Sequence, residues 1–290
     1  MSTFQERLSK NEFVITAEVC PPKGPDTKEF LEKALLLKDH VHAFNVTDNQ
    51  RSVMRFSALV SSHLLVQAGL EPIFQISCRD RNSLALESDL LGASRLGIQN
   101  LLPLTGDPIR AGDHQLAKGV FEFESVKLLQ TIKKMNNGFD FYDNPIDGKT
   151  NFFAGAVVNP TAPNINTHLK RMEKKIEAGA KFFQTQAVFD LKAFEVFMKE
   201  AQKFNTKIIA GILLIRSHKN VNYLRHHVPG LNIPEALKQE LKDSSNPMQT
   251  GVEIAARQIK SLQGLCHGVH LMAIKYEEKI VDILNHVKTL

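Results

Sequence analysis

Cysteine is scarce in this 290-residue sequence, and its three cysteines, Cys20, Cys78 and Cys266, lie far apart. No C-x-x-C pair occurs, so the sequence lacks the closely spaced ligands of a structural zinc site and the spacing of a disulfide framework. An iron–sulfur cluster held by this chain alone would need about four thiolates, more than are present. We therefore expect free thiols that are mostly buried.

Long apolar runs are missing as well. The longest, from Ile208 to Ile215, contains a glycine and is far too short to cross a bilayer. The N-terminal segment holds no apolar stretch of about 7–15 residues, which a secretory signal would show. Apolar residues make up 43% of the chain and charged residues 23%, which is ordinary for a globular protein. The composition predicts a cytoplasmic protein without a membrane partner.

Several catalytic signatures do not occur. No G-x-G-x-x-G follows a predicted strand, which disfavours a doubly wound dinucleotide-binding sheet. The G-x-S-x-G elbow of many serine hydrolases is also missing. The neighbouring histidines His226-His227 and His267/His270 lack a ligand pattern such as H-E-x-x-H. We therefore expect neither a metal site nor metal-dependent hydrolysis.

The formal net charge is +5, which suits nucleic acid and an anionic small molecule equally well. Because the lysines are spread along helices rather than gathered in one block, we expect no nucleic-acid partner. One compact basic cluster occurs, formed by Lys170-Arg171 and Lys174-Lys175. It is either a solvated helix face or a phosphate site.

Strand-like apolar runs alternate with amphipathic helical stretches along the whole chain. Most runs are nearly continuous, as expected for parallel strands that are covered on both faces. The alternation predicts one (β/α)₈ TIM barrel domain over residues 1–290, with extra helices between strands 7 and 8, around 234–264. Asn82 and Asp190 are placed as helix N-caps, and Gly69 and Gly97 as helix ends. The predicted strands are 13–18, 42–47, 72–78, 100–105, 152–158, 182–187, 207–214 and 268–274.

Polar residues close most of these strands, and in a barrel such residues meet on the carboxyl-end rim. Glu18 is the most informative, because a carboxylate at the end of a buried strand is usually paired, protonated or functional. Lys275 at the last strand allows a Schiff-base lyase, although a polar rim lysine is favoured because Schiff-base lysines need desolvation. The other rim residues are Thr47-Asp48-Asn49, Gln75 to Cys78, Thr105-Gly106-Asp107, Asn159, Gln184 to Gln186, Arg216 and Asn220.

Two loops stand out. The segment 140–148 has a calcium-like composition, but its spacing does not match an EF-hand and it precedes a strand, so we interpret it as a solvated turn. The segment 105–114 leaves a strand end and is punctuated by glycines. It either brings backbone amides close to a cofactor or serves as a flexible crossover.

With these features the chain resembles the methylenetetrahydrofolate reductase family, which are flavin-dependent (β/α)₈ enzymes. The combination of E-A-G-A, F-x-Q-T-Q and F-D is specific, whereas no fragment suffices alone. The matching segments are 17–22 (A-E-V-C-P-P), 45–48 (N-V-T-D), 75–80 (Q-I-S-C-R-D), 104–107 (L-T-G-D), 158–160 (V-N-P), 175–180 (K-I-E-A-G-A), 184–186 (Q-T-Q), 189–190 (F-D) and 210–213 (A-G-I-L).

The resemblance implies that FAD-dependent chemistry interconverts 5,10-methylenetetrahydrofolate and 5-methyltetrahydrofolate, with NADH or NADPH as candidate electron donors. Glu18 matches the general acid of the family, and Asp107 matches the aspartate that lies between flavin and pterin. Gln186 matches a folate-contacting glutamine, and Asn220 falls where relatives have another amide. The positions that match flavin contacts are Thr47, Gln75, Thr105, Gly106 and Asn159, with Lys174 and Lys175 near the FAD phosphates.

The chain also departs from the family pattern. Many relatives have histidine at the position of Gln75 and arginine at that of Thr105. Where relatives read Y-T-L-N-R, this chain reads M-A-I-K-Y over 272–276, so Lys275 is expected to supply a substrate-binding cation one position earlier. The sequence of this chain is most similar to that of relatives from anaerobic one-carbon metabolism, some of which take electrons through a partner protein. The alternative function is therefore a folate-binding flavoprotein subunit of a larger electron-transfer complex, inactive alone with NAD(P)H. A homo-oligomer is also expected.

Overall fold

The structure is a computed structural model that describes residues 1–161, 164–228 and 231–290. Eight parallel strands close into a barrel in chain order, with the last strand beside the first. Every strand lies within two residues of its predicted bounds, which confirms the (β/α)₈ barrel. The strands are β1 (Val14–Val19), β2 (Ala43–Val46), β3 (Pro72–Ser77), β4 (Asn100–Leu104), β5 (Phe153–Val158), β6 (Phe182–Ala187), β7 (Lys207–Leu213) and β8 (Gly268–Met272).

Helices surround this barrel and follow each strand. The predicted extra helices between β7 and β8 are confirmed, because the described residues between these two strands form three helices. A short helix that the sequence analysis missed precedes β1. The helices are α1 (Thr3–Ser9), α2 (Lys28–Leu36), α3 (Ala58–Gln67), α4 (Ser83–Arg95), α5 (Ser125–Met135), α6 (Ile165–Glu177), α7 (Leu191–Ala201), α8 (His218–His227), α9 (Glu235–Asp243), α10 (Pro247–Leu262) and α11 (Lys279–Thr289).

The helix boundaries follow from local chemistry. Asn82 Oδ1 accepts the Ala85 N–H at 3.0 Å at the start of α4, and Asp190 caps α7 in the same way. Both predicted N-caps are therefore confirmed. Gly69 and Gly97 follow α3 and α4 with φ of +74° and +83°, the left-handed conformation that glycine adopts without strain.

The amino-terminal end of the barrel is closed by an aromatic cluster. Phe4 of α1 meets Phe182 of β6 edge to face, with ring centroids 5.3 Å apart, and Phe182 stacks on Phe153 of β5 at 5.2 Å. Gly155 gives room for this cluster, since a Cβ there would lie 2.4 Å from the ring of Phe182. Because this end is filled with apolar side chains, the open rim is at the carboxyl ends of the strands.

A buried polar layer lies inside the barrel. Asn45 and Gln184 exchange two amide hydrogen bonds of 2.6 and 2.9 Å, which join β2 to β6. The Gln184 side chain therefore lies in the interior of the barrel and not on the rim, where the sequence analysis placed it. Thr16 Oγ1 and His270 Nδ1 are 3.0 Å apart, and burial lowers the pKa of His270 to about 3. This imidazole is therefore neutral at physiological pH.

The remaining sequence features have simple outcomes. Cys20, Cys78 and Cys266 are free; Cys78 is buried, and the other two are partly exposed. The segment 140–148 is an exposed turn ahead of β5, in which Asp140 accepts the Asn144 N–H at 2.8 Å. In the described part of the chain, no three side chains of histidine, cysteine, aspartate or glutamate lie together in an arrangement that could hold a metal ion. Among residues 1–161, 164–228 and 231–290, no helix has both the length and the apolarity to span a membrane.

Candidate active site

Glu18 lies at the carboxyl end of β1, just before Pro21 and Pro22 end the run. Its side chain is only 8% exposed, and its Oε1 accepts a hydrogen bond from Gln50 Nε2 at 3.4 Å. Burial raises the pKa of Glu18 to about 7, and the Gln50 amide opposes that rise. The Glu277 carboxylate adds a smaller upward contribution. A carboxyl with this pKa is partly protonated at neutral pH, so it can both give and take a proton.

The loop after β2 brings Gln50 to this carboxyl. Asn49, Arg51 and Ser52 all have left-handed backbone conformations, with φ of +45°, +56° and +55°. Such non-glycine residues cost on the order of 1 kcal/mol each, and surrounding contacts must hold them. Asp107 supplies two such contacts: its Oδ2 accepts the Arg51 N–H at 2.8 Å, and its carbonyl oxygen accepts from Ser52 Oγ at 3.2 Å. Asp107 is otherwise exposed at the rim.

Two further predicted residues are buried beneath the rim. Thr47 is 0% exposed, and no nitrogen or oxygen in the described part of the chain hydrogen-bonds its Oγ1. The neighbouring Cys20 thiol is at most a weak partner. Gln75 is also buried, on β3. Asp48, by contrast, is used by the fold, since it accepts from Arg81 Nη1 at 2.7 Å and from the Ser77 N–H at 2.9 Å.

A cavity of about 250 Å³ opens at the ends of β4, β5 and β6. Four predicted residues line it: Thr105, Asn159, Lys175 and Gln186. The remaining lining residues are Pro103, Leu104, Ser125, Val157, Val158, His168, Arg171 and Met172. The structure therefore brings residues from separate strand ends and from α6 to one cavity.

Three basic side chains of α6 line this cavity: His168, Arg171 and Lys175. Lys175 Nζ donates to the Val157 carbonyl at 2.7 Å, and burial lowers its pKa. The pKa of His168 is lowered by burial and by the nearby cations of Arg171 and Lys175. Lys174 is exposed and does not line the cavity. The sequence analysis missed His168, although its spacing of three and seven residues from Arg171 and Lys175 puts all three on one helix face.

The loop after β4 approaches its neighbours very closely at Gly106. Its φ is +97°, and a Cβ there would lie 2.8 Å from both Arg79 Cβ and Ser77 Oγ. Only glycine therefore fits this position without displacing the wall of the barrel. Thr105 Oγ1 accepts the Ser125 N–H at 3.2 Å, which fixes the loop to the start of α5.

Asn220 and Lys275 lie at the β7 and β8 side of the rim. Asn220 Oδ1 accepts the Arg216 N–H at 3.1 Å, so its carbonyl oxygen serves the local backbone. Lys275 is exposed, has φ of +71°, and donates its N–H to Glu277 Oε1 at 3.1 Å. An exposed lysine lacks the desolvation that a Schiff-base mechanism requires, which argues against the lyase alternative. Glu277 is 5% exposed, with its Oε2 3.0 Å from Lys33 Nζ.

A closed parallel barrel with its polar side chains on the carboxyl-end rim places this chain among the (β/α)₈ barrel proteins. Two solved chains share the fold at 10% identity: EDTA monooxygenase from Chelativorans sp. BNC1 and tryptophan synthase from M. tuberculosis. Their TM-scores are 0.56 and 0.53, they cover 96% and 98% of this chain, and 94% of each solved chain is covered. At this identity the likeness supports the fold alone.

The chain belongs to the methylenetetrahydrofolate reductase family, whose sequence model matches residues 3–288. "Methylenetetrahydrofolate reductase 2" from Schizosaccharomyces pombe is 26% identical over 237 residues, which are 73% of this chain and 35% of that protein. "Probable methylenetetrahydrofolate reductase (NADPH)" from Caenorhabditis elegans is 23% identical, covering 79% and 34%. "Probable methylenetetrahydrofolate reductase (NADH)" from Oryza sativa is 23% identical, covering 97% and 49%. The match thus spans between a third and a half of the length of these relatives.

Proposed function

We propose that this chain binds FAD and a folate at the carboxyl-end rim and reduces 5,10-methylenetetrahydrofolate to 5-methyltetrahydrofolate, or catalyses the reverse, with Glu18 as general acid. The observation that carries the proposal is the buried Glu18 carboxyl at the end of β1, with the Gln50 amide as its hydrogen-bond partner. Membership of the family indicates which reaction to expect. The burial of Glu18 keeps part of its carboxyl protonated near neutral pH, so that it can donate a proton.

The residues at the rim fit FAD. The cavity carries three basic side chains of α6 at one place, which suits phosphates. Thr47 offers a buried hydroxyl with no nitrogen or oxygen partner among the described residues, and Gly106 lets the loop after β4 pack closely against Ser77 and Arg79 at the edge of the rim. The residues proposed to hold FAD are Thr47, Gln75, Thr105, Gly106, Asn159, His168, Arg171 and Lys175, with Lys174 at the periphery.

Reduced FAD, when bound, would supply the hydride. The five-membered ring of the substrate accepts a hydride only after it opens to an iminium, and opening requires a proton on the leaving nitrogen. Glu18 gives that proton from its buried carboxyl. The exposed Asp107 carboxylate, held by the Arg51 N–H, stabilises the positive charge that develops. Gln186, exposed at the edge of the cavity, offers an amide to the substrate.

The electron donor is the second part of the proposal. Relatives carry names that specify NADPH or NADH. We propose one of these nucleotides as donor for this chain, with an electron-donating partner protein as the alternative. An absorbance spectrum of the purified protein, followed by anaerobic addition of NADH or NADPH, separates them. Flavin bands that bleach identify the nucleotide; bands that persist until a reducing partner is added identify a subunit of a larger complex.

Glu18→Gln tests the acid. The amide keeps the size of the side chain and its hydrogen-bonding capacity, but it carries no acidic proton. We expect FAD binding and flavin reduction to persist while folate reduction falls by roughly 10²–10⁴-fold, the usual contribution of a general acid. Glu195→Gln, an exposed residue of α7, is the matched control with the same chemical change. Folate turnover by Glu18→Gln at the control's rate would exclude Glu18 as the acid.

A further inference from the structure

Arg216 is a half-buried cation on the rim between the ends of β7 and β8. Its guanidinium carbon lies 4.6 Å from the centroid of the Tyr276 ring. This is well within the range of a favourable cation–π contact, about 6 Å. The guanidinium carbon therefore lies over the aromatic ring, and the N–H groups of the guanidinium are the donors that could bind a ligand.

Those N–H groups have no acceptor within residues 1–161, 164–228 and 231–290, where the Arg216 side chain forms no hydrogen bond or ion pair. The buried carboxylate of Glu277, which follows Tyr276 in the sequence, is paired with Lys33 Nζ at 3.0 Å and accepts the Lys275 N–H at 3.1 Å. A partly desolvated guanidinium without an acceptor is costly, so the position is suited to an anion from outside the chain.

The backbone around this cation is fixed. The Arg216 N–H donates to Asn220 Oδ1 at 3.1 Å, and the Asn220 N–H donates to Ser217 Oγ at 3.1 Å. On the other side, the Tyr276 N–H donates to the Ala273 carbonyl at 2.9 Å. The two loops that carry Arg216 and Tyr276 are therefore fixed at the backbone, which reduces the entropy lost when a ligand binds.

We propose that Arg216, supported by Tyr276, binds a carboxylate of the glutamate tail of the folate substrate. The inference rests on the proposed function, because that substrate carries two carboxylates at the end remote from its pterin. A guanidinium fork matches a carboxylate with two parallel hydrogen bonds, and a stacked guanidinium presents that fork edge-on. Lys275, the cation expected from the sequence, is exposed and has no comparable support. The tail-binding cation is thus in the loop after β7 rather than in the loop after β8.

Calorimetric binding of two matched probes to the holoenzyme tests the inference. The probes are tetrahydrofolate and its tail dicarboxamide, which has the same shape without the charges. For wild type we expect tetrahydrofolate to bind roughly ten- to hundredfold more tightly, as expected for a charge-assisted pair. Arg216→Met should abolish that preference by weakening tetrahydrofolate alone, and Arg216→Lys should restore part of it. Tyr276→Leu should weaken the preference, whereas Tyr276→Phe should keep it.

Lys219→Met is the matched control, since Lys219 is an exposed cation in the first turn of α8. Four results would overturn the inference. Equal loss of both probes in Arg216→Met would mean a general effect on folding; loss of the preference in Lys275→Met would identify that residue instead. Equal binding of both probes by wild type would mean that the tail is not recognised, while the proposed reaction would stand. If wild type bound neither probe, the proposed function would fail and the inference with it.

Discussion

Gln50 Nε2 donates to Glu18 Oε1 across 3.4 Å, which joins the end of β1 to the loop after β2. The partner of this acid is therefore a neutral amide rather than a lysine or an arginine. A cation would favour the charged carboxylate and remove its proton at neutral pH. An amide at a long distance stabilises the carboxylate only weakly, so burial dominates and the proton is retained. The contact orients the acid without greatly reducing its proton affinity.

Replacing Gln50 tests this relationship. Gln50→Met removes a hydrogen bond to the charged form of Glu18, so we expect the pKa of Glu18 to rise further. A general acid must be protonated, and activity is lost as pH rises through its pKa. The alkaline limb of the kcat/KM profile for folate reduction should therefore move to higher pH. Gln67→Met, an exposed residue of α3, provides the control. A limb that stays in place or moves to lower pH would contradict the assignment.

The raised pKa of Glu18 also has a consequence for stability. The folded protein binds this proton more tightly than the unfolded chain, so the contribution of Glu18 to stability is complete below pH 4.5 and is lost as pH rises to about 7. Glu18→Gln removes this loss, because the amide does not ionise. From 4.5 to about 7, the shift corresponds to about 3 kcal/mol. We expect the variant to exceed wild type by up to this amount at pH 8 and to match it near pH 4.

Urea unfolding at the two pH values measures the difference, with Glu195→Gln as the control. If Glu18→Gln were destabilised equally at both pH values, the contacts of the Glu18 carboxyl would stabilise the fold, and burial of its charged form would not destabilise it. A gain in stability in Glu18→Gln would mean that the wild-type carboxyl lowers the stability of the protein. Such a cost is expected of a residue that is retained for function.

His270 gives the opposite pH dependence. Its folded pKa of about 3 lies below the ordinary value of 6.5, so the unfolded chain takes up a proton first. The contribution of neutral His270 to stability is therefore complete above pH 6.5 and falls as pH drops toward 3. For one proton the slope is about 1.4 kcal/mol per pH unit. We expect His270→Gln to flatten this slope in denaturation series at pH 7, 6 and 5. An exposed control, His226→Gln, should leave it unchanged; equal slopes for wild type and His270→Gln would contradict the prediction.

The pattern of apolar runs was sufficient to predict the barrel, because each strand is short, buried on both faces and closed by a polar residue. It also identified Glu18, since β1 ends where two prolines follow. It could not identify Gln50. This residue reaches Glu18 through a loop in which Asn49, Arg51 and Ser52 adopt left-handed conformations, and because none of them is glycine the sequence gives no sign of these conformations. Lys275 adopts the same kind of backbone conformation, and the Arg216 to Tyr276 contact depends on two loops far apart in sequence.

The adjacent lysines of α6 offer the sharpest test of the cofactor site. Lys175 lines the cavity with His168 and Arg171, whereas Lys174 lies about 100° further round the helix and is exposed. Lys175→Met should weaken FAD binding roughly tenfold or more, because it removes a partly buried charge from the cavity that we propose to hold the FAD phosphates. Lys174→Met makes the same change one residue away and should alter FAD affinity far less. Titration of the apoprotein with FAD, followed by flavin fluorescence, measures both. A larger loss in Lys174→Met would mean that FAD uses the outer face of α6, and that the cavity serves another ligand.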